Sequence, residues 1–165
     1  MKSSRLVVIL VLVVAAFFLL SAGWLKSTIK NLEAVSGQQK PRVEYLSSPE
    51  RSNAPFSEAV RVGNLLFLSG QLGRDPQTGK LAEGGIEAET RQCLENIKST
   101  LEKYGSSLDR VVKVTVMLAD IGEWARMNSV YTTYFTRNKP ARSAFGTSGL
   151  AGGAKVEIEV VAVID

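Results

Sequence analysis

Hydrophobic and polar residues alternate with two different periods over residues 42–165. Apolar positions recur at helical spacing within residues 85–105 and again within residues 123–137, which predicts two helices. Short runs rich in valine, isoleucine and leucine predict strands, and Gly63-Asn64 between two such runs is typical of a hairpin turn. The order β-β-β-α-β-α-β-β predicts an α+β fold, in which one sheet carries two helices on one face. The predicted strands occupy 42–46, two runs within 58–71, 109–120, 141–147 and 155–164.

The last predicted strand has two different faces. One face carries Val156, Ile158, Val160, Ala162 and Ile164, and the other carries Glu157 and Glu159 together with Val161 and Val163. Two helices can cover only one side of the sheet, so the second, half-apolar face would remain as a large exposed patch. We therefore expect identical subunits to pack these faces together in an oligomer.

The amino-terminal segment differs from the rest of the chain. An uncharged, mostly apolar run from Leu6 to Leu25 follows two basic residues. Twenty helical residues span about 30 Å, the thickness of the hydrocarbon core of a bilayer, and the apolar part of a cleaved signal is usually shorter. This pattern predicts a membrane anchor or signal segment over residues 1–30, a polar tether over 31–41 and a globular domain over 42–165. We expect an uncleaved anchor with the domain in the periplasm or elsewhere outside the cytoplasm; the alternative is secretion after signal cleavage.

The composition narrows the possible chemistry. The chain of 165 residues has no histidine, one cysteine and a net charge of +4. Catalytic triads that use histidine, zinc sites built from histidine and cysteine, and disulfides within one chain are therefore excluded, and we predict no metal site. The basic residues are scattered without interleaved aromatics, so we predict no nucleic-acid binding. Cys93 lies on the apolar side of a predicted helix and is expected to be a small buried residue.

Two charged residues stand within the apolar strands at the end of the chain. Arg142 begins one strand and Glu157 lies inside the next. Buried charges are costly unless they are paired. Arg142 could form an ion pair with Glu157 or Glu159 that only sets the strand register, or these charges could bind a ligand. Alternation alone does not separate Glu157 from Glu159, because both face the same way.

Residues 53–163 contain an ordered series of motifs: NAPFSEAVRVGNLLFLSGQ, DPQTGKL, ETRQCLENIKSTLEKYGSSLDRVVKVTVMLAD, MNSVYTTYF, KPARSA and KVEIEVVAV. This series resembles the RidA (YjgF) family. The resemblance implies a chorismate-mutase-like fold and a homotrimer in which the sheets line a central barrel, with clefts between the subunits.

The resemblance also implies an activity and its residues. Members of the family hydrolyse reactive enamines and imines, such as 2-aminoacrylate, 2-iminobutanoate and 2-iminopropanoate, to 2-oxo acids and ammonia without a cofactor. By position in the motifs, Arg142 would hold the substrate carboxylate and Glu157 would orient the attacking water. Ser69 and Gly70 would line the cleft, and Asn128 would border it.

Two positions depart from the family pattern. Phe56 stands where the family often has tyrosine, which keeps the ring and removes the hydroxyl, and Ala144 stands where it often has cysteine. Both positions would contact substrate. The first change leaves open an alternative function, in which the chain is a non-catalytic, trimeric module that binds small carboxylates or acts as a holdase.

Overall fold

The computed structural model describes residues 23–28, 30, 40–51 and 53–164. The chain divides into two units, Met1–Lys40 and Pro41–Asp165. The strands and the two long helices described below belong to the second unit.

The predicted membrane anchor is not supported. Among the residues that the structure describes, no helix combines the length and the apolar character needed to cross a membrane. On this finding the predictions of a transmembrane anchor and of an extracytoplasmic or secreted location are wrong. Residues 1–22 of the predicted segment and 31–39 of the predicted tether lie outside the described residues.

Seven strands of the described chain form one sheet. They lie in the order β1-β2-β3-β7-β5-β6, and β4 pairs with the opposite end of β7 from β3. The edge strand β6 runs parallel to β5, whereas the other pairs are antiparallel. The strands are β1 (Val43–Leu46), β2 (Ala59–Val62), β3 (Leu65–Leu68), β4 (Gln71–Leu72), β5 (Val111–Leu118), β6 (Ala141–Gly146) and β7 (Val156–Val163).

Helices α1 (Ile86–Lys103) and α2 (Trp124–Tyr134) contact each other and cover one face of the sheet. The alternate positions of β7 predicted to be apolar are buried beneath them. Cys93 of α1 is fully buried, as predicted, and burial raises the pKa of its thiol. The α+β fold class is thus confirmed, and a separate β4 is the one strand that the predicted order lacks.

A bulge changes one face assignment in β5. Simple alternation places Val112 with Val114 on one face and Val111 on the other, but the pairing to β7 shifts between Val111 and Lys113. The extra residue at a bulge is left out of the ladder. As a result Val111 is buried in the core, and Val112 is 45% exposed.

The face of the sheet opposite the helices carries large apolar side chains. Residues paired across neighbouring strands point to the same face, which places Phe67 with Val161 and Phe145 with Met117. The Phe67 and Phe145 side chains remain 41% and 46% exposed. We refer to this side of the sheet as the open face.

Candidate functional site

At the break between β3 and β4, the backbone of Gly70 lies against the carboxylate of Glu157. Ser69 and Gly70 interrupt the strand pairing with β7, and β4 then resumes opposite Ile158 and Glu157. A methyl group added at Gly70 would overlap the Glu157 carboxylate, since it would lie 2.9 Å from its Cδ. Only a glycine therefore lets this carboxylate lie over the chain at residue 70.

The environment of Glu157 favours its protonated form more than water does. Its side chain is half-buried, and burial, followed by repulsion from Glu159, raises the pKa of the carboxyl group above its ordinary value. A carboxylate with a raised pKa is a stronger base near neutral pH. The contact with Gly70 also distinguishes Glu157 from Glu159, because the alternation of side chains along the strand had left the two acids equivalent.

Ser57 and Glu58, which follow Phe56, are hydrogen-bonded to Ser69. The Ser69 hydroxyl donates to the Ser57 carbonyl at 2.7 Å, and the Ser69 backbone N–H donates to the Glu58 carbonyl at 3.1 Å. These bonds place Phe56, whose ring is 53% exposed, at the rim of a cleft that also includes Gly70.

This Gly70 cleft has a volume of about 740 Å³. One wall is the polar side of α1, and another is the loop that follows β4. Its charged lining residues are two arginines and two acids, so that its formal charges balance. These four residues are Arg51, Arg74, Asp75 and Glu95.

Arg142 lies on the edge strand β6, where α2 orients its guanidinium group. Its Nη1 donates to Asn128 Oδ1 at 2.9 Å. The guanidinium carbon lies 4.3 Å from the centre of the Tyr131 ring and 5.7 Å from that of Trp124. The planar donor fork is thereby held between an amide and two aromatic rings, with its remaining N–H groups available to an anion.

A second cleft, of about 550 Å³, opens at this arginine. We call it the Arg142 cleft. Tyr131 is 6% exposed, and its buried hydroxyl has no hydrogen-bond acceptor among the residues that the structure describes. The lining residues are Asn128, Tyr131, Thr132, Phe135, Thr136, Lys139, Pro140 and Arg142.

Arg142 and Glu157 point to opposite faces of the sheet. Arg142 pairs with Val114, which pairs with the buried Val160, so its side chain lies on the helix face. Glu157 pairs with Met117, on the open face. Because paired residues share a face, this register excludes an Arg142 ion pair with Glu157 or Glu159 within one chain.

The predicted site residues therefore form two groups within one subunit. Around β6 and α2 lie Arg142, Asn128 and Ala144, although Ala144 packs against the buried core. The other group, beside the Gly70 cleft, comprises Phe56, Ser69, Gly70 and Glu157.

The sequence analysis did not identify Tyr131 as part of the site. Its ring is buried and stacks on the Arg142 guanidinium group. Its spacing of three residues from Asn128 could have indicated this, because residues i and i+3 share one face of a helix. Among the described residues, no group of three or more acidic or cysteine side chains is arranged to hold a metal ion.

Comparison with known proteins identifies the family. Residues 47–164 match the model of the family described as Endoribonuclease L-PSP. A RutC family protein of Pyrococcus horikoshii is 49% identical over 120 residues, which cover 73% of this chain and 95% of that protein. The human 2-iminobutanoate/2-iminopropanoate deaminase is 42% identical over 109 residues, covering 66% of this chain and 80% of that protein.

The fold comparison agrees. The crystal structure of the YjgF gene product of E. coli has a TM-score of 0.67 at 31% identity, and the match covers 73% of this chain and 98% of that one. The motifs, the sheet order and the match over residues 47–164 lead to one conclusion: the chain belongs to the Endoribonuclease L-PSP family, which includes the RidA and YjgF proteins.

Proposed function

We propose that the protein hydrolyses reactive 2-imino acids and their enamine tautomers, such as 2-aminoacrylate, 2-iminobutanoate and 2-iminopropanoate, to 2-oxo acids and ammonia. The observation that carries this proposal is the held guanidinium of Arg142, which forms no ion pair with a carboxylate among the described residues. An oriented, half-buried arginine without an acidic partner suits a small carboxylate ligand. The names of the mammalian relatives support the same substrate class.

In this proposal Arg142 binds the carboxylate beside the reacting carbon. Hydrogen bonds to charged groups contribute about 1.5–3 kcal/mol each, so two bonds from the fork would fix a ligand of a few atoms. Asn128 and Tyr131 hold the guanidinium plane, which reduces the freedom lost on binding.

Glu157 acts on water. An iminium carbon is already electrophilic, so a positioned water and a base suffice. Water attacks that carbon while Glu157 accepts its proton; a C–O bond forms, and the C=N π electrons move to nitrogen. In the second step Glu157 returns that proton to the nitrogen, the C–N bond breaks with its electron pair leaving on ammonia, and the hydroxyl group loses its proton to Glu157 as the C–O bond becomes C=O. The raised pKa of Glu157 suits this transfer, and the reaction as proposed uses no cofactor.

In this proposal the two groups of residues form one complete site at the contact between two subunits. Since Arg142 and Glu157 face opposite sides of one sheet, one substrate can contact both only if they come from different chains. We propose a homotrimer in which the edge strand β6 of one subunit meets the Gly70 cleft of its neighbour. The exposed Phe67 and Phe145 rings on the open face support burial of that face in the assembly.

The test uses the full chain and enamine generated continuously by a threonine dehydratase. The wild-type protein should accelerate 2-oxobutanoate release, and Arg142→Ala should lower kcat/KM by about 100-fold or more. Arg137→Ala is the matched control, because Arg137 is an exposed arginine that pairs with Asp109 outside both clefts. An Arg142→Ala protein as active as the Arg137→Ala control would reject the proposal.

Phe56 favours one alternative. The ring at the rim of the Gly70 cleft has no hydroxyl with which to position water or the imine nitrogen. The protein would then bind small carboxylates without turnover. A rise in melting temperature with 2-oxobutanoate, abolished by Arg142→Ala and unaccompanied by deaminase activity, would favour this alternative.

A further inference from the structure

Within one subunit the Arg142 cleft is cationic, because the described residues that line it include no acid. Its charged lining residues are Lys139 and Arg142, whereas the Gly70 cleft balances two arginines with two acids. Two cations in one cleft repel each other, and a bound anion removes that repulsion. Lys139 forms no ion pair with an acid among the described residues, so its ammonium group is available to a ligand.

The neutral lining residues also offer hydrogen-bond donors. Arg142, which can donate but not accept, lies beside the buried Tyr131 hydroxyl, whose O–H has no acceptor among the described residues; a buried donor left unsatisfied costs free energy. Thr132 and Thr136 contribute two more hydroxyl groups to the same cleft. A ligand with several oxygen atoms would therefore find donors beyond the Arg142 guanidinium.

The size of the cleft exceeds what a four-carbon imino acid requires. In a single subunit its volume of about 550 Å³ lies within the range of roughly 300–1,000 Å³ typical of sites for much larger ligands. If a substrate carboxylate binds Arg142, Lys139 remains as the cation that can bind a second anionic group. Lys139 lies three residues before Arg142, on the other side of Pro140. Extended chain covers about 10 Å over that spacing, and a flexible lysine can shorten the gap between the two cations.

We propose that Lys139 selects imino acids that carry a second carboxylate on the side chain, of the 2-iminoglutarate type. Arg142 would bind the carboxylate next to the imine carbon, and Lys139 the distal one. This inference rests on the proposed function for the role of Arg142, and it adds the substrate class and a specificity-determining residue. The hydrolysis itself is the same, with water as the only co-reactant.

The test measures binding of the two product acids, 2-oxoglutarate and 2-oxobutanoate, to the full-length protein by isothermal titration calorimetry. Lys139→Met should weaken 2-oxoglutarate by about tenfold or more and change 2-oxobutanoate by less than about twofold. Lys139→Arg should restore most of the 2-oxoglutarate affinity. Lys40→Met is the matched control, since it removes one exposed lysine that lines neither cleft and should change neither affinity.

The activity arm uses 2-iminoglutarate generated by a glutamate oxidase and 2-iminobutanoate generated from threonine. Lys139→Met should lower kcat/KM for the first substrate and leave the second nearly unchanged. Equal losses for both, or wild-type binding of 2-oxoglutarate no tighter than that of Lys139→Met, would overturn the role of Lys139. If Arg142→Ala leaves both affinities and both activities intact, the proposed function fails as well, so the two failures are distinguishable.

Discussion

Replacing Glu58 by glutamine is expected to destabilise the fold, because this carboxylate joins the segment at the Gly70 cleft to the end of α1. Its side chain is 9% exposed and lies 2.7 Å from Lys103 Nζ. The Tyr104 hydroxyl donates to it at 2.5 Å and the Ser48 hydroxyl at 2.7 Å. Burial alone would raise the pKa of Glu58, but the hydrogen bonds from Lys103, Tyr104 and Ser48 outweigh it and lower the pKa from 4.5 to about 2.

The lowered pKa sets the size and the sign of the effect. At about 1.36 kcal/mol per pKa unit, the difference between 4.5 and about 2 corresponds to roughly 3 kcal/mol of stability. Because the folded-state pKa is the lower one, this stabilisation is complete above the unfolded-state pKa and disappears as the pH falls toward about 2. Glu58→Gln should therefore cost about 2–3 kcal/mol at pH 7 and less than half of that at pH 3.

Urea denaturation of both proteins between pH 7 and pH 3, at one protein concentration, measures this difference. Glu44→Gln is the control, since Glu44 makes only a surface contact with the exposed Arg42 at 3.7 Å, and it should lose less than about 1 kcal/mol. In a double-mutant cycle, Lys103→Met should cost much less in the Glu58→Gln background than alone. A Glu58→Gln protein as stable as the wild type at pH 7, or a deficit that stays constant down to pH 3, would refute the reasoning.

Three further predictions concern the site and the assembly. Gly70→Ala should keep the fold by circular dichroism but lower kcat/KM by about 100-fold, because the new methyl group displaces the Glu157 carboxylate; unchanged activity would contradict this contact. Glu159→Gln removes a charge that raises the pKa of Glu157, so Glu157 should stay ionised to lower pH, and the acid limb of the kcat/KM profile should move in that direction. An unmoved limb would argue against Glu157 as the base. Phe67→Glu places a charge on the open face, so light scattering should show a trimer for the wild type, as proposed, and monomers for the variant; a trimeric variant would mean that this face is not the interface.

The elements of the fold could be predicted because their signals are local. The apolar positions of α1 recur at helical spacing, and those of β7 alternate, so each pattern depends only on residues close in the chain. The bulge at Val112 could not be predicted, since it arises from the register between β5 and β7 rather than from the sequence of β5. The break that creates β4 likewise depends on where β7 ends its pairing with β3.

The sequence named the candidate site residues but did not predict how the fold arranges them. The motifs pointed to Arg142, Asn128 and Glu157, and the structure places Asn128 as the hydrogen-bond acceptor that orients Arg142. The stacking of Tyr131 on Arg142 requires α2 to cross over β6, which no local pattern specifies. The same holds for Lys139, whose proposed role rests on the absence of acids among the described residues that line the Arg142 cleft.

The sequence by itself determined the α+β class, the buried faces of the two helices and of β7, and the family to which the chain belongs. These follow from short-range periodicity and from motif order, both of which can be read along the chain. Only the tertiary structure decided that Arg142 and Glu157 leave the sheet on opposite faces, because that outcome depends on the pairing of β6, β5 and β7. A shift of one residue in either pairing would move every side chain of the shifted strand to the other face, so the location of a complete site is a consequence of register.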